Sequence, residues 1–346
     1  MARARSSKLS EFSAIAELER IFDGRASRRA SAKPSASRSG FREHTAIELA
    51  IGDDAAVLRS RERLVWTIDS AVEHVHFERA WLTLEDLGFR SFQAAASDVS
   101  AMGGKPWCAL SSVIVPKNFS ANDLKRIARG QRAAARALGC RVVGGNLARG
   151  AELSLTTALL GITARPLLRS GAKAGDELWL CGEVGLAAAG LRLLQRGSVP
   201  KTSAARRALN AFRRPQAELA FGVALAGRAH AAIDISDGLC GDAAHIAEAS
   251  RVKIIIETPR LERALSAELR TLAPTLGVSA LELALYGGED YALLAAGPAR
   301  SRPRGAQVIG YVAAGEKVWL SPSSPSRGSA REPQKLVRAR RGFEHF

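Results

Sequence analysis

The sequence predicts an α/β (α+β) chain of two domains. Three observations carry this. Apolar strand-like runs alternate with helix-patterned segments along the chain. The 346 residues exceed one core of ordinary size. Hydrophobic residues are 47% of the chain, enough for real cores, which excludes wholesale disorder. No repeat of 20–50 residues interrupts the alternation.

The elements follow in order. Phe12, Ile15, Leu18, Ile21 and Phe22 recur at helical spacing, so residues 1–22 include a short amphipathic helix. Residues 24–40, rich in Ser, Ala and Arg, read as a flexible insertion. Leu64–Asp69 is a strand, and His74 and His76 fall on one face if it continues. Thr83-x-x-Asp86 starts a helix that runs to Met102, where Gly103-Gly104 stops it. Ala109–Val115 is a strand closed by Pro116. Ser120-x-x-Asp123 opens a helix that ends at Gly139. Arg141–Val143 reads as a short strand before a Gly144-Gly145 turn, and Leu153–Thr163 as a long strand.

Arg165–Gly175 marks the crossing to a second domain. There, Glu177–Cys181, Ala231–Ile235, Val252–Glu257, Tyr291–Ala295 and Gln307–Val312 read as strands. Gly185–Gln195, Gln216–Ala229 (with Pro215 at its start) and Cys240–Ser250 read as helices, with two shorter helices after Glu257. The domain boundaries expected are residues 1–44 for the helix and basic insertion, 45–164 for the N-terminal domain, and 165–346 for a C-terminal α/β domain with a basic loop near 321–341.

The formal net charge of +16 invites a nucleic-acid reading. Its distribution argues against one. Residues 1–10, 25–42, 299–305 and 321–341 hold the whole surplus, in loop-like stretches without aromatic stacking platforms beyond Phe41. No apolar run is long enough to span a membrane, and the first twenty residues lack the apolar core of a secretory signal. The four cysteines, at 108, 140, 181 and 240, stand far apart, as isolated reduced thiols of a cytoplasmic protein would.

Chemistry concentrates in acidic loops beside glycine: Gly52-Asp53-Asp54, Thr67-Ile68-Asp69, Ser97-Asp98, Asp234-Ile235-Ser236-Asp237-Gly238 and Gly287-Gly288-Glu289-Asp290. Crowded carboxylates repel and are costly to bury unpaired; hard divalent cations relieve both effects. The pattern points to several Mg²⁺ ions serving a polyphosphate. Neither a P-loop nor a G-x-G fingerprint is present, and Gly144-Gly145-Asn146 is left as a backbone cradle for phosphate. Asp234-x-Ser236-x-Gly238 lacks the first glycine of a nucleophile elbow and has no evident histidine partner, so acyl transfer is disfavoured.

Together, Gly52-Asp53-Asp54-Ala55-Ala56-Val57, Val72-Glu73-His74-Val75-His76-Phe77, Ser97–Gly103, Asp234–Leu239 and Gly287–Tyr291 resemble the thiamine-monophosphate kinase family. Leu168–Ala172 with Gly175-Asp176, and the closing Gly342–Phe346, extend the resemblance over about residues 8–22 and 45–346. It implies a two-domain fold like that of aminoimidazole ribonucleotide synthetase, with N-terminal domains pairing strands in a homodimer. It also implies Mg²⁺- and ATP-dependent phosphorylation of thiamine monophosphate to the diphosphate. Asp53, Thr67, Asp69, Asp98, Asp234 and Asp237 match metal ligands. Gly145, Asn146, Arg169 and Ser236 match positions at ATP, and His76, Glu289 and Phe343 match the substrate pocket. No covalent nucleophile, membrane or specific nucleic-acid partner is implied.

Two positions depart from the family pattern. Asn146 stands for an Asp, and Ile68 for the Thr before a metal-binding Asp, so one metal site is expected to bind more weakly. Two alternatives stay open: a related ATP-dependent synthetase of the same fold group, and a non-catalytic protein that binds nucleic acid through its basic tails.

Overall fold

The computed structural model describes residues 17–18, 20–22, 45–49, 57–322 and 336–339. The basic insertion, Asp53, Asp54, most of the 321–341 loop, and Phe343 with the closing motif lie outside the described residues. Two compact units are present. One comprises residues 1–95 and 106–160, the other residues 96–105 and 161–346.

In the first unit, β1 (Thr45–Leu49) and β2 (Val57–Ser60) form an antiparallel hairpin. A four-stranded sheet contains β3 (Arg63–Val72), β4 (Lys105–Val115), β5 (Arg141–Arg149) and β6 (Ser154–Thr163) in the order β3-β6-β4-β5, with β4 and β5 parallel. Two helices belong with it. In α1 (Leu84–Ala101), the Thr83 hydroxyl accepts the Asp86 N–H at 3.1 Å. In α2 (Ala121–Leu138), Ser120 accepts the Asp123 N–H, and Gly139 closes the helix at φ 71°. The two helices cross backbone to backbone. A methyl group at Gly130 would overlap the Glu85 carbonyl oxygen, and one at Gly88 would overlap that of Ile127. Leu87, Phe92, Ile127, Leu155 and Leu159 are fully buried in this unit.

β3 alternates. Val65 is buried, with Thr67 and Asp69 on its face, whereas Leu64, Trp66 and Ile68 point outward, Trp66 at 74% exposure. The strand ends at Val72, so His74 and His76 do not share a strand face as their spacing predicts. They lie in a tight turn closed by a Glu73–Phe77 bridge, with His74 at φ 67°. Buried Glu73 holds the turn, pairing with Arg79 and accepting the Leu153 N–H at 3.2 Å.

The second unit is built on a seven-stranded sheet, order β13-β12-β9-β11-β7-β10-β8. Its strands are β7 (Glu177–Cys181), β8 (Ala231–Asp234), β9 (Lys253–Glu257), β10 (Leu293–Gly297), β11 (Gln307–Ala313), β12 (Val318–Ser321) and β13 (Val337–Arg338). Each neighbouring pair is antiparallel except β9–β12. Alternation along β7 sorts the two faces. Leu178 and Leu180 enter one apolar cluster, Trp179 and Cys181 the other.

The larger cluster takes α3 (Leu186–Arg196), α4 (Ser203–Arg213), α6 (Leu239–Ser250), α7 (Thr258–Ala264), α8 (Ala267–Leu272) and α9 (Ala280–Tyr286). The smaller takes α5 (Leu219–Leu225) and the end of α1. All four cysteines are buried, and burial raises their thiol pKa values to about 11 for Cys108 and about 12 for Cys140, Cys181 and Cys240.

Three further expectations change. The helix predicted over Gln216–Ala229 is only α5, ending before Gly227 at φ 76°. The unpredicted α4 precedes it, started by Thr202 accepting the Ala205 N–H at 3.1 Å. Arg141–Val143 extends through Gly144-Gly145-Asn146 to Arg149, so the pair is strand rather than turn. Gly145 sits opposite Ser111, where any Cβ would overlap the Ser111 carbonyl; the glycine permits the strands to approach.

Candidate phosphoryl-transfer site

In the second unit, β8, the strand at the end of the seven-stranded sheet, delivers Asp234 at its end. The residue is buried, at 6% exposure. Burial, and then the charge of Asp98, push its pKa up to about 7. Opposing them are the Ser97 hydroxyl, the Arg169 guanidinium and the Asp234 amide. No hydrogen bond of full geometry reaches the buried Ser97 Oγ, so its help to Asp234 is weak. Asp98 and Ser97 come from the last turns of α1, and Arg169 from the exposed loop after Leu167.

The chain then turns through Ile235-Ser236-Asp237-Gly238 into α6. Asp242, in the first turn of that helix, reaches back so that one of its oxygens, Oδ2, accepts the Ser236 and Asp237 N–H groups, each at 3.1 Å. Asp242 is itself buried. Burial and the charges of Asp234 and Asp237 raise its pKa to about 8, against those two N–H donors.

The Gly287–Tyr291 loop runs alongside. Glu289 donates its N–H to the Ser236 carbonyl at 2.7 Å, and Tyr291 donates its own to Ile235 at 2.8 Å. Both residues have positive φ, 70° and 52°, and the Tyr291 hydroxyl donates to Glu289 at 2.7 Å. Asp290 turns the other way and accepts the Gly185 and Ala187 N–H groups at the start of α3, at 2.7 and 3.3 Å. Although its residue surface is only partly covered, the carboxylate is enclosed, and burial raises its pKa to about 8.

The first unit holds the other candidates. Thr67 and Asp69 lie half-buried on one face of β3. Gly145 and Asn146 are exposed on β5, at the opposite edge of that sheet, with β6 and β4 intervening. The sheet therefore does not bring these two pairs together. His76 donates its N–H to the Val72 carbonyl at 2.9 Å, and its Nδ1 accepts the Val72 N–H at 3.2 Å. The neutral ring thus carries its proton on Nε2 and presents a donor there.

Comparisons with known proteins bear on this geometry. A family model described as "AIR synthase related protein, N-terminal domain" matches residues 52–163. The thiamine-monophosphate kinase of Aquifex aeolicus (strain VF5) is 34% identical over 299 residues, covering 86% of this chain and 92% of that protein. The chain belongs to the thiamine-monophosphate kinase family. It is a kinase.

Solved structures of the family share its fold. AaThiL complexed with AMPPCP and TMP is 34% identical, covers 75% of this chain and 84% of its own, and gives a TM-score of 0.72. Thiamine-monophosphate kinase from Stenotrophomonas maltophilia K279a is 32% identical, with coverages of 79% and 90% and a TM-score of 0.72.

Among the described residues, no three His, Cys, Asp or Glu side chains converge as a ready-made metal cluster. The donor chemistry of the kinase still suits a hard cation. Asp98 and Asp234 are carboxylates near enough for one to raise the pKa of the other, and a cation relieves that repulsion. A magnesium ion at a kinase site commonly takes one or two carboxylates and completes its shell with phosphate and water.

Asp242, Ser97 and Asp290 were not among the candidates read from sequence. Asp242 was visible as an acid just inside the helix that follows the Asp234–Gly238 loop. Ser97 and Asp290 were visible only as members of motifs whose neighbours drew the assignment.

Proposed function

We propose that this kinase transfers the γ-phosphoryl group of ATP to thiamine monophosphate, releasing ADP and thiamine diphosphate. The observation that carries the reading is the Asp98–Asp234 pair beside Arg169, in a chain similar to AaThiL, which was solved with AMPPCP and TMP. An oxygen of the acceptor phosphate forms the new bond to the γ-phosphorus. The bond from that phosphorus to the β–γ bridging oxygen breaks in line with it. A phosphate monoester is largely anionic at neutral pH, so no strong general base is required. The burden falls on neutralisation and alignment.

Magnesium, when bound, supplies the neutralisation. Asp98 and Asp234 would hold it, with Asp53, Thr67, Asp69 and Asp237 as the further ligands that the resemblance implies. Arg169 directs its positive charge at the nucleotide phosphates, with Ser236, Gly145 and Asn146 as further nucleotide contacts. His76 donates from Nε2 to the substrate, and Glu289 and Phe343 complete its pocket. Leu64, Trp66 and Ile68, exposed in a row on β3, support self-association through that sheet, and the cytoplasm is the compartment where ATP is at hand.

The test is incubation of the full chain with ATP, MgCl₂ and thiamine monophosphate. Chromatography is expected to show thiamine diphosphate that depends on all three. No product under these conditions overturns the reading.

A further inference from the structure

Helix α6 makes two sets of contacts that the reaction above does not use. At its start, Asp242 Oδ2 accepts the N–H groups of Ser236 and Asp237. At its last residue, the Ser250 hydroxyl makes three hydrogen bonds to a loop about eighty residues earlier in the chain. It accepts the Gly171 and Ala172 N–H groups, each at 3.1 Å, and donates to the Arg169 carbonyl at 3.0 Å. Both donor and acceptor capacity of one hydroxyl are spent on one loop. The same loop is tied to β8 by the Ala232 N–H bonding to Leu168 at 3.0 Å. Arg169 is itself exposed, so its side chain gains little order from packing.

We propose that α6 is a brace: Asp242 and Ser250 are positioning residues that set the Ser236–Asp237 and Arg169 loops in fixed register for the nucleotide. The assignment of Arg169 and Ser236 to the nucleotide rests on the proposed kinase reaction. The hydrogen bonds themselves do not. A helix of this length is a stiff spacer, and side chains at its two ends hydrogen-bond the two loops in addition to the apolar packing of Ala172 and Ile235. Removing either side chain unties a loop from the helix while leaving the apolar face of the helix, and the loop's backbone bonds to β8 or to the Gly287–Tyr291 loop, intact.

Two measurements on the full chain test the brace: amide hydrogen exchange without ligand, and calorimetric binding of a non-hydrolysable ATP analogue with Mg²⁺. In Ser250→Ala, the Gly171 and Ala172 amides are expected to exchange about tenfold faster, while those of β10 are unchanged. Ser250→Thr restores protection. Asp242→Ala does the same to the Ser236 and Asp237 amides, and Asp242→Asn, which keeps one acceptor oxygen, restores them.

Affinity for the analogue is expected to fall about fivefold in Ser250→Ala. The same substitution made in Arg169→Ala has no further effect. Unchanged exchange at Gly171 and Ala172, acceleration spread evenly over the second unit, or additive losses with Arg169→Ala would each overturn the proposal. If the parent chain binds the analogue but makes no thiamine diphosphate, the kinase reaction fails while the brace stands or falls on exchange and binding. If it binds no nucleotide, exchange alone decides the brace.

Discussion

Asp234 and Asp69 both match metal ligands of the family, yet their surroundings differ. Asp234 ends a fully buried strand, beside a second acid, in a loop whose N–H groups are held by a third. Asp69 lies half-buried on an edge strand whose other face exposes Leu64, Trp66 and Ile68. The second unit has paid for its chemistry in advance, with carboxylates held far from their ordinary pKa values. The first keeps its candidate groups half-buried or exposed. Affinity for charge is thus stored in one unit as destabilisation of the metal-free fold.

The largest test of this contrast is Asp234→Asn. Activity is expected to fall about 10²–10³-fold, as for other groups that stabilise charge in a transition state. Meanwhile the metal-free chain becomes more stable to urea. Asp69→Asn, on the half-buried face of β3, should raise metal-free stability by less. A stability gain at Asp69 equal to that at Asp234 would erase the distinction.

Next in size is Gly130→Val, which forces a side chain into the α1–α2 crossing. About 2–3 kcal/mol of stability should be lost in urea unfolding, with the second unit's amide exchange preserved. Simultaneous unfolding of both units would show that their stabilities are not separable.

The pH dependence follows from the raised carboxylates. Asp234 and Asp242 hold protons in the folded chain up to about pH 7 and 8, whereas the unfolded chain releases them near 3.8. Between these limits the folded state binds more protons, so metal-free stability falls as pH rises, by up to about 1.4 kcal/mol per pH unit for each fully linked group. Thermal melts from pH 5 to 8 should show the decline. Asp242→Asn, which keeps the acceptor and removes the charge, should make the decline shallower, with Asp234 and Asp290 supplying the rest.

The smallest effect is expected at Asn146→Asp on the exposed edge strand. The added charge should tighten apparent Mg²⁺ affinity about threefold to tenfold, since ligand charge tunes such sites. No gain in a metal titration of activity would dispose of the weakened-site idea.

Much of this was legible before any coordinates. Thr83 and Ser120 announce their helices by a hydroxyl three residues ahead of an acid, and Gly139 announces an end; these signals are local. The acidic motifs were legible as chemistry because like charges at such density need a cation. What escaped depended on distant partners. Gly144-Gly145 has the composition of a turn, and only the Ser111 backbone beside it explains a strand. The His74/His76 alternation has the period of a strand, but Glu73 bonds to Arg79 and Leu153 and folds the segment into a turn. Ser250 carried no signal, because a lone serine at a helix end becomes informative only when Arg169, Gly171 and Ala172 arrive beside it.

The four buried cysteines give the molecule a property unrelated to its reaction. With pKa values near 11 to 12, almost none of their sulfur is thiolate at neutral pH, and only the thiolate attacks an alkylating reagent. Two of them, Cys108 and Cys140, follow the first unit, and Cys181 and Cys240 follow the second. Reaction with iodoacetamide is therefore gated by opening of the surrounding core. The rate at which each position acquires the label becomes a clock on the breathing of its own unit, already installed in the native sequence.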